Sequence, residues 1–145
     1  MPDVFLPTTA RLPLALLTLS LLTLAGVTTG APATPPTPAQ AQQVRGETLY
    51  VLACAMCHGD RLEGLSGPSL RGESFEAAFA SMPPLGLHDL IRDTMPDGLR
   101  GSLTPQEVLD LTAYLLRENG RVLPEGGLDA NALSELLARD GHPRP

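Results

Sequence analysis

CAMCHGD, Cys54 to Asp60, contains the only two cysteines of the 145-residue chain, three positions apart with a histidine directly behind the second. This pattern admits four chemistries: a small disulfide, half of a zinc site, a redox-active thiol pair, or covalent attachment of a haem. A disulfide between Cys54 and Cys57 closes so short a loop that it constrains the unfolded chain little, and it leaves His58 without a role. Zinc asks for four ligands; there is no second CxxC, and the other donors are scattered histidines and carboxylates. A thioredoxin-like pair opens a helix within a strand-helix-strand unit, whereas here the motif closes a helix in a chain with no convincing strand.

Haem attachment uses both cysteines and the histidine of the motif. Two thiols three apart on a tight turn reach the two vinyl groups on one edge of a porphyrin, and the histidine that follows is held beneath the iron. The sixth iron position then asks for a partner, and methionine is the usual choice in electron carriers. Met95, in the TMPDG loop between two helices, is the favoured candidate. Met82 in SMPPLG and His88 compete with it. Met56, inside the motif, sits on a turn that cannot reach the far face and reads as filler.

Leu12 to Val27, LPLALLTLSLLTLAGV, is an uncharged Leu-rich run, so residues 1–31 read as a secretory signal or an uncleaved N-terminal membrane anchor. Both readings export the body, where thioether-bound haem is assembled. Residues 32–43, rich in Pro and Ala, read as an extended linker, which starts the domain near Val44.

Gly46, Leu49, Tyr50, Ala53 and Cys57 fall on one face of a helix over 44–57. HGDRLEGLSGPSLRGES is a Gly- and Ser-dense loop. Short helices are expected over Ser74–Ala80, ended by Pro83 and Pro84, and over Leu87–Thr94. The strongest helix begins at Thr104, with Pro105 and Glu107 completing a capping box, and ends at Asn119-Gly120. LDANALSELLARD reads as a final helix in a C-terminal extension, residues 121–145.

With three Phe, two Tyr and no Trp, a buried flat ligand would supply the missing aromatic mass. The formal charge is -6 and all ten basic residues are Arg. No basic run exists, which argues against nucleic acid as a partner.

These blocks together resemble a class I c-type cytochrome over about Val44 to Asn119. GETLYVLACAMCHGD resembles the family's first helix, with Gly46 and the aromatic Tyr50. GPSL, Gly67 to Leu70, resembles the loop whose proline carbonyl orients the haem-ligating histidine, so the resemblance implies that Gly67 and Pro68 support His58. TMPDGLRGSLTPQEVLDLTAYLL resembles the axial-methionine loop running into the last core helix, with Tyr114 near its crossing with Gly46. The variety with MP.G..GSL is similar to haem subunits of bacterial dehydrogenases and respiratory complexes. The segment FEAAFASMPPLGLHDL departs from the family in lacking a typical tryptophan.

The resemblance implies an all-α cytochrome c fold, about four short helices around one covalently bound haem c, over residues 44–120. Cys54 and Cys57 would be the thioether anchors, His58 and Met95 the axial ligands. The expected function is one-electron transfer rather than enzymatic turnover, outside the cytoplasm or on the outer face of its membrane. The expected partners are redox proteins: a dehydrogenase, a cytochrome complex or a terminal oxidase. The alternatives are a fixed haem subunit of a membrane complex, anchored through residues 12–31, a gas- or peroxide-reactive haem protein, and a CxxC thiol oxidoreductase. Arg45, Arg61, Arg71, Arg92 and Arg100 are the candidate partner contacts.

Overall fold

The computed structural model describes residues 34–79 and 82–139; the apolar run read above as signal or anchor lies outside them. Among the described residues there are six helical segments and no strand: α1 Pro38–Ala53, α2 Ala55–His58, α3 Gly72–Phe79, α4 Pro84–Thr94, α5 Pro105–Glu118 and α6 Ala130–Arg139. The count exceeds the expected four because the CAMCH turn is itself helical and α6 packs with the body. None of these helices is long and apolar enough to cross a membrane.

α5 forms as its capping residues dictate. Thr104 Oγ1 accepts from the Glu107 amide at 3.3 Å and Glu107 Oε2 accepts from the Thr104 amide at 2.7 Å, satisfying two amides that a bare helix start leaves unpaired. Val108, Leu111, Thr112 and Leu115 form its buried stripe. At its end, Asn119 Nδ2 donates to the Leu115 and Leu70 carbonyls, both at 2.9 Å.

α1 crosses α5 at Gly46. A Cβ there would overlap the Asp110 carbonyl oxygen and lie 2.8 Å from Tyr114 Cβ. Gly46 thus lets the two backbones touch, and the Tyr50 and Tyr114 rings pack beside the crossing with centroids 5.4 Å apart. Gly46→Ala is expected to cost stability at the upper end of the about 1–3 kcal/mol typical of overpacking, because a helix backbone cannot yield as a side chain does. A lowered thermal midpoint, with the exposed neighbour Glu47→Ala unchanged, would establish it.

The same crossing buries Asp110, 4% exposed. Arg45 donates to both of its carboxylate oxygens, at 2.8 and 2.9 Å, and Gln106 Nε2 donates at 2.8 Å. Burial pushes the Asp110 carboxyl up, but the hydrogen bonds from Arg45 and Gln106 outweigh it and hold the carboxyl below its usual value. A depressed carboxylate stabilises the fold above its unfolded value of about 3.9, and that contribution is lost as pH falls through the lower folded value. Removing the guanidinium in Arg45→Ala should therefore move the acid-unfolding midpoint to higher pH, read by far-UV circular dichroism.

Three expectations about boundaries differ from the structure. The linker assigned to 32–43 gives way to helix at Pro38. Thr37 and Gln40 form a capping box, with the Thr37 amide 2.8 Å from Gln40 Oε1, and Pro38 needs no hydrogen-bond donor in the first turn. Gln42, 3% exposed, donates to the Leu128 carbonyl at 2.8 Å and accepts from the Leu128 amide at 2.6 Å. A partner 86 residues away leaves no local mark on the sequence. The helix expected from Leu87 instead starts at Pro84, its first residue. Finally, residues beyond 120 are no appendage to the packing, since Leu123, Leu128 and Leu133 are buried in the common core.

Candidate cofactor site

α1 stops at Ala53 because Cys54 leaves helical geometry while its amide still bonds to the Tyr50 carbonyl at 2.8 Å. The next turn, α2, rewinds immediately, with the His58 amide 3.0 Å from the Cys54 carbonyl. Gly59, at φ 82°, then turns the chain away, a conformation that suits glycine because it has no Cβ. The Tyr50 hydroxyl, wholly buried, donates to the Gly59 carbonyl and pins this exit.

The following loop folds back onto the motif. The amides of Leu65 and Gly67 both bond to the Cys57 carbonyl, at 3.0 and 2.8 Å, and the Gly64 amide bonds to the His58 carbonyl at 2.7 Å. This return brings the Pro68 carbonyl 2.8 Å from His58 Nδ1. A carbonyl can only accept, so Nδ1 carries the proton and Nε2 keeps a free lone pair. Gly67 lies flat against the ring, and a Cβ there would come within 2.9 Å of His58 Cε1. The imidazole, 8% exposed, is thereby fixed in both tautomer and orientation.

A cavity of about 640 Å³ opens beside it, within the about 300–1,000 Å³ typical of sites that enclose a small molecule or cofactor. Cys54, Cys57, His58, Gly67 and Pro68 line it together with Met95. Leu70, Ile91, Leu103, Leu111 and Leu115 supply apolar walls. Met95 caps the C-terminus of α4, its amide 3.0 Å from the Ile91 carbonyl. Met82 and His88 do not line this cavity: Met82 packs against Gly86, and His88 faces a different one.

The donor set and walls fit a haem. Two thiols stand on one turn, a lone-pair nitrogen and a thioether sulfur line the same chamber, and its sides are aliphatic. Cys54 and Cys57 are not bonded to one another. Burial first, and the proximity of Cys57 second, push the Cys54 thiol up to about 11, so it stays protonated at neutral pH. A thiol oxidoreductase needs the opposite, a depressed thiol that ionises readily.

Met56 is no filler, being 87% exposed at the rim of the cavity. Residues three apart share a helix face, so Cys54 and Cys57 look onto the cavity together, and Met56, off that face, stands at its edge. Of the five arginines considered as partner contacts, Arg100 lines the cavity. Arg45 is committed to Asp110, and Arg92 to Asp89 and Asp93.

The supporting roles of two residues escaped sequence reasoning. Tyr50 was visible as an aromatic on the first helix, but its hydroxyl bond to Gly59 depends on how the turn closes. Asn119, legible as a helix stop, also accepts from the Gly72 amide at 3.0 Å, tying the end of α5 to the loop that carries Leu70.

Residues 41–115 match the family described as cytochrome c oxidase, cbb3-type, subunit III. A relative described as cytochrome c-553-like, from Synechocystis sp., is 32% identical over 71 residues, 49% of this chain and 64% of the relative. Among solved structures, the sulfane dehydrogenase SoxCD from Paracoccus pantotrophus is similar at 27% identity with a TM-score of 0.47, over 66% of this chain and 60% of that one. The chain thus spans less than two thirds of the length of either protein.

Proposed function

The chain belongs to the family described as cytochrome c oxidase, cbb3-type, subunit III, and is a monohaem c-type cytochrome with one covalently bound haem c; from this we propose that it is an exported one-electron carrier. In this reading Cys54 and Cys57 would anchor the haem through thioethers, and His58 Nε2 and the Met95 sulfur would hold its iron. The haem supplies a one-electron iron couple. The chain's own residues set its surroundings. Pro68 and Gly67 hold the His58 ring so that its lone pair faces the cavity, and the leucines of α5 keep water from that face. Met95, fixed at the end of α4 and lining the same cavity, would hold the iron against a substrate, which favours electron transfer over turnover.

The observation that carries this reading is the meeting of both thiols, His58 and Met95 in one cavity that excludes Met82 and His88. Its partners would be redox proteins on the extracytoplasmic side, met through small, transient contacts below about 1,200 Å². Carbon monoxide gives the direct test. The reduced protein at neutral pH is expected to show no spectral change on exposure to the gas, and ready binding would point instead to a gas- or peroxide-reactive site.

A second reading is a fixed haem subunit of a membrane complex, and the family's description as an oxidase subunit favours it. Sequencing the mature N-terminus separates the two. Retention of residues 12–31 supports the anchored subunit, and a start beyond residue 31 supports the soluble carrier.

A further inference from the structure

Leu103 separates the cofactor cavity from a second one of about 430 Å³. Its walls come from α4, the first turns of α5 and the inner face of α6, through Leu85, Val108, Leu109 and Leu133. The family match ends at residue 115, so α6, at 130–139, closes this chamber with a segment beyond the matched region. No residue proposed to hold the haem lines it.

The polar groups at this cavity define what it can accept. His88 Nδ1 lies 3.0 Å from Asp89 Oδ1. In the neutral ring, a carboxylate partner keeps the proton on Nδ1, which leaves Nε2 to act as an acceptor. The Ser134 hydroxyl donates to the Ala130 carbonyl at 3.0 Å, so its remaining capacity is also as an acceptor. Arg92 is spent on two carboxylates, Asp89 at 2.7 Å and Asp93 at 2.8 Å. Of the charged residues that line the cavity, Asp89 and Arg92, the guanidinium is already paired, so it is not free to hold an anionic ligand. An apolar chamber with acceptors and its arginine already paired suits a neutral molecule that donates a hydrogen bond.

We propose that this cavity binds a neutral aromatic alcohol of phenol class, its ring against Leu85, Val108, Leu109 and Leu133 and its hydroxyl donating to His88 Nε2 or Ser134 Oγ. The proposal stands apart from the haem reading, because none of its residues serves as anchor or axial ligand.

The test is titration of the full-length, haem-loaded protein at pH 8 with 2-naphthol, naphthalene and 2-naphthoate, followed by calorimetry and by ligand-observed NMR. 2-Naphthol is expected to saturate a single site with about threefold to tenfold higher affinity than naphthalene, the value of one hydrogen bond, and 2-naphthoate is expected to bind more weakly than 2-naphthol. His88→Phe should bring 2-naphthol down to the level of naphthalene if the imidazole is the acceptor, and Ser134→Ala should do so if the hydroxyl is. Ala130→Trp, on an exposed rim position where bulk does not overpack the core, should block both. The proposal fails if 2-naphthol does not saturate, if 2-naphthoate binds equally well, or if Ala130→Trp folds with an unchanged melting curve and still binds. Loss of the haem spectrum with 2-naphthol binding intact would count against the cofactor reading alone.

Discussion

Replacing both thiols, Cys54→Ser with Cys57→Ser, is expected to yield a chain that carries no covalent haem and no longer melts cooperatively. The argument is one of volume. The cavity beside His58 measures about 640 Å³ and is walled by Leu70, Ile91, Leu103, Leu111 and Leu115. Unfilled apolar space in a core costs about 24 cal/mol per Å³. Even with a large discount for the part of this cavity open to water, the penalty reaches several kcal/mol, a large share of the about 5–15 kcal/mol that holds a domain together. The aromatic side chains elsewhere are too few to collapse into the gap, with three Phe and two Tyr in the whole chain. Contacts remote from the cavity should persist in part, because the α1 and α5 crossing at Gly46 and the Gln42 clamp on Leu128 do not touch the thiols. Residual helix in far-UV circular dichroism, a flat thermal curve and a negative pyridine haemochrome assay are therefore expected together. A single substitution leaves one anchor and should give an intermediate yield of haem. A double variant that melted as sharply as the parent would show that the fold stands without the cofactor.

The features legible in the sequence were those written in local chemistry. Thr104, Pro105 and Glu107 announce α5 because a capping box is built from neighbours, and CAMCH announces its turn because the chemistry demands that spacing. Gly46 at the α1 and α5 crossing came from the family pattern, and the structure gives its reason in the Asp110 backbone. The features that stayed hidden depend on residues far apart in sequence. Pro38 to Gln43 reads as linker by composition, yet the Ala39 amide bonds to the Glu125 carbonyl at 3.1 Å and Gln42 holds Leu128. Met56, read as filler because its turn cannot reach the far face, proves instead to be exposed. The second cavity had no sequence signal, since it exists only where α6 meets α4 and α5.

Met95→Ala should leave the haem attached and change what the iron sees. Cys54, Cys57 and His58, the proposed anchors and ligand, are held by α2 and by the loop that returns through Gly67 and Pro68, none of which relies on Met95. Nor does the substitution dismantle α4, because the bond from residue 95 to the Ile91 carbonyl is a backbone bond that alanine also makes. The loss is confined to the sulfur. The red methionine-to-iron band is expected to vanish, carbon monoxide to gain access in the reduced state, and the reduction potential to fall by on the order of 0.2 V, a fraction of the about 0.8 V over which axial ligands set haem potentials. Met82→Ala and His88→Ala serve as paired controls, since Met82 packs on Gly86 and His88 faces the other cavity; both should retain the band and the potential. If the band survived in Met95→Ala and disappeared in Met82→Ala, the segment before α4 would have to reach the cavity in the haem-loaded protein, and the ligand assignment would pass to Met82. The contrast between the two alanines thus isolates the ligand from any general loss of packing, which would weaken the spectrum in both.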